Sequence, residues 1–163
     1  MQEEPPASDE KNEEDEYARS VGDVQVSKDD FKKDKTNVLA VIDDLAKVMA
    51  DKDFKTWLQY VDSSSTQYWS QGVNLKKAQK RLPIKGLQLR TLEDYFKYVF
   101  IPSRSGREVT EIRYISDSYI KAVQVQDNTD IIYYYFNKID GIWKLHLPPI
   151  DKLKKMSKIS IFA

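Results

Sequence analysis

The chain has 163 residues, no cysteine, one histidine, and 26 basic against 26 acidic side chains. That inventory excludes a disulfide, a thiolate metal site, a cysteine nucleophile and a two-histidine metal centre, and the length suits one domain with a tail. Hydrophobic residues at 40% and aromatics at 12% supply a core, while no run approaches the roughly 18 apolar residues of a membrane span.

The zero net charge is made of unlike parts. Residues 1–23 hold nine acids and two bases, Lys11 and Arg19, for a net −7, and the rest of the chain carries +7. The segment contains Pro5 and Pro6 and few large apolar side chains, Tyr17 and Val21 among them. Residues 1–26 therefore read as a disordered acidic tether, unable to bury enough surface to offset its ordering entropy.

Ser27 is placed to cap a long helix, with Asp29 and Asp30 in its first turn. Val38, Ile42, Leu45 and Met49 recur at helical spacing, and Leu39 and Ala46 widen the stripe. Asp51-Lys52-Asp53 breaks the pattern, and Asp53 caps a second helix carrying Phe54, Trp57, Leu58 and Val61, which makes a helical hairpin. Residues 62–73 read as a turn and a short extended segment closed by Gly72. Asn74 then caps a basic helix over 75–82 that Pro83 stops. A short strand or loop spans 84–90. Thr91 opens a helix carrying Leu92, Tyr95, Phe96, Val99 and Phe100, with Ile101-Pro102 as its expected end.

Beyond residue 107 the period changes to two. Residues 108–116, 118–126, 130–138 and 141–147 are rich in Val, Ile, Tyr and Trp, with Ser116-Asp117, Asp127-Asn128 and Asp140-Gly141 as turn signals between them. Three tight turns imply a four-stranded antiparallel meander closed by Pro148-Pro149. Residues 151–163 form a basic tail. The fold class is α+β, with helices packed on a curved meander in a cone-like domain over 27–150.

The helix over 37–50, the break at Asp53-Phe54, Trp57-Leu58, the pair Tyr68-Trp69, and the stretch from Ile131 through Tyr133-Tyr134-Tyr135-Phe136 and Asp140-Gly141 to Trp143-Lys144-Leu145 together resemble the nuclear-transport-factor-2-like superfamily. The resemblance covers about 36–147. It implies a cone that houses an enzyme in some members and a binding or accessory function in others. The enzymes place an acid or an Asp–His pair inside the cone. Here His146 shares a strand face with Lys144, opposite Trp143 and Leu145, and reads as a solvated or helix-packed residue. Asp62 and Glu93 read as helix-end acids.

Aromatic side chains are the unusual resource. Tyr133 and Tyr135 fall on one strand face, and Ile132, Tyr134 and Phe136 on the other. Tyr68, Trp69, Tyr95, Tyr133, Tyr135 and Trp143 either fill the cone or line a ligand cavity. Arg104 and Arg107, in the loop 103–107 with Ser103, Ser105 and Gly106, are anion-binding candidates or a solvated linker. Arg113, alternating with Glu111 and Ile115, reads as an in-facing anchor or half of a surface cross-strand pair, with the surface pair preferred. Lys76, Lys77, Lys80 and Arg81, with Lys85 and Arg90, read as a solvated basic face, and no nucleic-acid fold accompanies them.

The expected function is non-enzymatic. The chain reads as a binding or protein-interaction domain that needs no cofactor or metal and takes an unknown protein or a small apolar ligand. Its layout suggests a bacterial envelope lipoprotein in the periplasm or at the cell surface, with the acidic spacer joining it to a removed signal and lipidated cysteine. Membrane contact would then come only through that anchor. The alternatives are a small cavity enzyme of isomerase or hydrolase type using Tyr133, Tyr135 or Asp62, and a cytoplasmic scaffold dimerising through the sheet.

Overall fold

A computed structural model describes residues 7–82 and 84–150. The expected stop at Pro83 and the basic tail over 151–163 lie outside them, as do Pro5 and Pro6. Twelve elements follow in order: α1 (Ala7–Val21), α2 (Lys28–Asp51), α3 (Phe54–Tyr60), α4 (Ser63–Trp69), α5 (Gly72–Arg81), α6 (Leu92–Tyr95), a π-helical turn (Phe96–Phe100), α7 (Ile101–Arg104), β1 (Glu111–Ser116), β2 (Tyr119–Gln126), β3 (Thr129–Ile139) and β4 (Ile142–His146). The strands form one antiparallel sheet in the order β1-β2-β3-β4. The fold class is α+β.

The caps read at Ser27 and Asp53 are made. The Ser27 side chain accepts from Asp30 N, and Asp53 accepts from Thr56 N, each such cap contributing about 1 kcal/mol. Lys52 turns left-handed at φ 53°, and its N–H and that of Asp53 close the end of α2 on Met49 O and Val48 O. Asp127-Asn128 and Asp140-Gly141 both have positive φ, as hairpin turns of two residues require.

Several expectations are corrected. Residues 7–21 are not a loose tether: they form α1, which lies against β1 and α2. Ser20 and Val21 are buried, Tyr17 packs on Phe31 at 5.7 Å, and Tyr17 Oη donates to Val26 O. Glu14 and Glu16 pair with Lys28 and Lys35 of α2, and Arg19 Nη2 meets Glu111 Oε2 at 2.6 Å. Two of the acids that suggest self-repulsion, Glu14 and Glu16, are thus paired with lysines of α2.

Residues 63–69 are helical rather than extended, because Asp62 caps them through Ser65 N at 3.0 Å. The basic helix starts at Gly72, so Asn74 lies within it and donates to Tyr68 O instead of capping. Pro102 does not end the next helix. The preceding turn widens to π geometry, which accommodates the missing N–H and the ring, and the chain continues to Arg104.

The strict two-face reading of β3 also fails at one residue. Ala122 pairs with Tyr134 but Val123 with Ile132, so Tyr133 is the extra residue of a bulge. Tyr133 and Ile131 consequently join Tyr134 and Phe136 in the core cluster, while Tyr135 stacks on Tyr119 at 5.9 Å on the other face. The core joins sheet and helices through Val38, Leu45, Trp57, Phe96, Phe100, Ile112, Ile120, Phe136 and Leu145, all essentially inaccessible. Val61 makes a parallel bridge to Leu145, and Asp62 N donates to Leu145 O at 2.8 Å, so the chain between α3 and α4 runs along β4.

Candidate functional site

The six aromatic candidates do not converge on one cavity. Trp69 stacks on Tyr95 at 4.4 Å and meets Tyr68 edge-on at 5.0 Å, so three of them form one filled cluster. Trp69 Nε1 donates to Leu147 O at 3.1 Å, and Tyr68 Oη accepts from Ile150 N at 3.2 Å. These bonds draw the segment after β4 over α4. Trp143 sits elsewhere, its Nε1 on Asp34 Oδ1 at 3.3 Å. Asp34, buried on α2, also accepts from Tyr114 Oη at 2.6 Å and lies 3.6 Å from Lys138 Nζ. Burial and Asp34 push the Tyr114 phenol well above its usual range. Tyr133 lies in the bulge, and Tyr135 is buried on the opposite face with its phenol pushed up by burial.

Two residues set aside in the sequence are brought together. Asp62, only 3% exposed, accepts from Ser65 N at 3.0 Å, Asn137 Nδ2 at 3.0 Å and His146 Nδ1 at 2.8 Å. Ser65 Oγ lies 3.2 Å from the same histidine nitrogen and accepts from Leu147 N at 2.8 Å. Burial works against the charged carboxylate, but the hydrogen bonds from His146, Ser65 and Asn137 outweigh it and hold Asp62 at about 2. An ionised carboxylate only accepts, so the histidine proton facing it sits on Nδ1. The Tyr119 ring meets the imidazole edge-on at 5.5 Å, and burial, with Asp62 nearby, raises its phenol to about 12. His146 is therefore helix-packed, and Asp62 is a helix-end acid with two additional partners on β3 and β4. No local pattern signals that pairing, because 84 residues separate the two.

The arginine candidates share one feature, a cleft of about 340 Å³ between α2 and the loop after α7. Leu39, Ile42, Ala46, Met49, Val109 and Tyr134 form its apolar walls, and Arg104, Arg107, Asp43 and Glu108 its polar lining. Arg104 is not in a solvated loop. It is buried at the end of α7, where Nε donates to Tyr133 O at 2.6 Å and Nη1 to Ser103 Oγ at 2.8 Å and Phe100 O at 3.4 Å. Its guanidinium lies 4.1 Å from the Phe100 ring centroid. Arg107 is exposed at the rim.

Arg113 is both buried and paired. It holds Glu111 Oε1 at 2.7 Å and Asp130 Oδ2 at 2.9 Å under α1, and with Arg19 it keeps the Glu111 carboxyl below its usual range against the opposing effect of burial. Lys76, Lys77, Lys80 and Arg81 lie on the exposed face of α5, opposite buried Leu75 and Ala78. Among the described residues, no group of three or more His, Asp or Glu could hold a metal ion, and no helix is long and apolar enough to cross a membrane.

The fold and these sites define an α+β domain with a tightly packed aromatic interior and one small half-open cleft carrying a buried cation. Over 124 residues, 76% of this chain, it is 30% identical to a protein of Treponema pallidum (strain Nichols) described as an uncharacterized lipoprotein. The matched region spans 66% of that protein, just under two thirds of its length. No family model matches the chain, and no solved structure matches it.

Proposed function

We propose that this chain is the non-catalytic binding domain of a bacterial envelope lipoprotein, built on a nuclear-transport-factor-2-like scaffold. The observation that carries this reading is the 30% identity to the Treponema pallidum lipoprotein. The order of elements supports the scaffold: a hairpin of α2 and α3, then Val61 running beside the last strand, then a meander ending in Asp140-Gly141 and Trp143-Lys144.

Binding is favoured over catalysis by how the polar groups are used. The Asp62 oxygens are taken up by a helix N-terminus, an asparagine and the histidine. Nδ1 of His146 faces both Asp62 and Ser65, so the three do not form a relay in which a hydroxyl and a carboxylate engage opposite ring nitrogens. In this reading, α1 is the folded end of the link between domain and anchor.

The test is to express the native gene with its own upstream sequence in a bacterial host fed radiolabelled palmitate. A lipoprotein incorporates the label and sediments with membranes, and both properties are lost when the cysteine at the processing site is replaced. An unlabelled product in the soluble fraction overturns the reading.

A further inference from the structure

Arg104 stands apart among the described side chains. It is only 8% exposed, yet no carboxylate pairs with it among the described residues. Its Nε and Nη1 engage neutral acceptors, Tyr133 O, Phe100 O and Ser103 Oγ, and Nη2 engages none of the described groups. Arg113, buried to the same degree, is by contrast paired with both Glu111 and Asp130. A guanidinium taken out of water without a counter-charge is costly, and burial lowers the affinity of Arg104 for its proton. Ring faces of Phe100 and Tyr134, 4.1 and 5.7 Å away, compensate it in part.

The same side chain lines the cleft whose walls are Leu39, Ile42, Ala46 and Met49. On α2, Leu39 and Ile42 are only half-buried and Ala46 is exposed, so an apolar stripe that would otherwise pack against protein is left open at this point. A cation at one end and hydrocarbon along the wall are the two halves of an amphiphile site. We propose that this cleft binds a small monocarboxylate with a short apolar body, its head group on Arg104 Nη2 and its chain against α2. The proposal rests on the reading of this domain as a binding module and names its ligand class.

Charge and size narrow the class. Asp43 and Glu108 also line the cleft, and Arg107 at the rim offsets only one of them. A singly charged carboxylate is therefore accommodated, while a doubly charged phosphate is opposed. A cleft of about 340 Å³, at about 30 Å³ for each water-sized group, holds on the order of ten non-hydrogen atoms. Octanoate has about that size.

The experiment titrates octanoate, octanol and octyl phosphate into the full chain, followed by calorimetry and by amide chemical shifts. The expected result is saturable 1:1 binding of octanoate, at least about tenfold tighter than octanol or octyl phosphate, with shifts centred on Ala46, Met49 and Gly106. Arg104→Met should reduce octanoate affinity at least about tenfold. Because that change also removes three internal hydrogen bonds, a second variant, Ala46→Trp, fills the cleft from its exposed side and should abolish binding in a protein with unaltered unfolding. Absence of saturable octanoate binding, equal binding of octanol, tighter binding of octyl phosphate, or octanoate affinity unchanged in Ala46→Trp would each overturn the proposal. None of these outcomes alters the palmitate-labelling result, so the ligand class and the lipoprotein reading can fail separately.

Discussion

Two tryptophans show how much one donor decides. Trp57 and Trp69 are both fully buried among aromatic rings. Trp69 Nε1 donates to Leu147 O, whereas Trp57 Nε1 is buried with no hydrogen-bond partner among the described residues. Replacing either by Phe removes similar volume. In Trp69→Phe the loss also includes a hydrogen bond that secures the segment after β4, while in Trp57→Phe an unsatisfied donor disappears. Trp69→Phe should therefore cost about 1–2 kcal/mol more than Trp57→Phe in urea unfolding. Equal losses would mean that the hydrogen bond to Leu147 adds nothing. At this scale the sequence was legible at Ser27 and Asp53, whose cap partners lie three residues on, but not at Asp62 or Asn74, where the helix starts themselves were misplaced. It was silent on Asp62 with His146 and on Asp34 with Trp143, whose partners are 84 and 109 residues away.

Among the elements, α1 departs furthest from its sequence. High acid density reads as disorder because a segment alone cannot neutralise it. The neutralising groups, Lys28 and Lys35, sit on α2, and Arg19 reaches β1. Exposed pairs of this kind contribute about 0–1 kcal/mol each, and packing of Tyr17 and Val21 adds to them. Deleting residues 1–22 should lower stability by about 1–3 kcal/mol, read as a fall in the urea midpoint. A true tether could be removed with the midpoint unchanged. The meander, by contrast, was legible nearly to its ends, since alternation and the turn pairs Asp127-Asn128 and Asp140-Gly141 fix register together. The bulge at Tyr133 was not. Both faces of 131–136 are apolar, so a one-residue slip leaves no trace in the pattern. The continuation of the helix past Pro102 was hidden for a different reason: the π turn that accommodates the ring has no sequence signature.

At the scale of the whole molecule, α1 packs on α2 and β1, and the ion pairs at its surface are only one layer of the electrostatics. Beneath them, Asp62 ties three elements together: α4 through Ser65 N, β3 through Asn137 and β4 through His146. This bond set determines how the domain responds to acid. The Asp62 carboxyl has its folded value lowered from 3.8 to about 2, so its stabilisation is present in full above the unfolded value and is lost as pH falls toward the folded one. Linkage over that interval gives about 2 kcal/mol in all, of which about 1.5 is gone by about pH 2.5. Asn at position 62 keeps an oxygen for the cap but carries no titrating charge. Asp62→Asn should be less stable than the parent chain at about pH 5, and between there and about pH 2.5 it should lose about 1.5 kcal/mol less in urea unfolding. Glu111, also held low by Arg19 and Arg113, titrates in both proteins and cancels in the difference. Parallel acid profiles for the two proteins would show that the ionised carboxylate at Asp62 does not hold helices and sheet together.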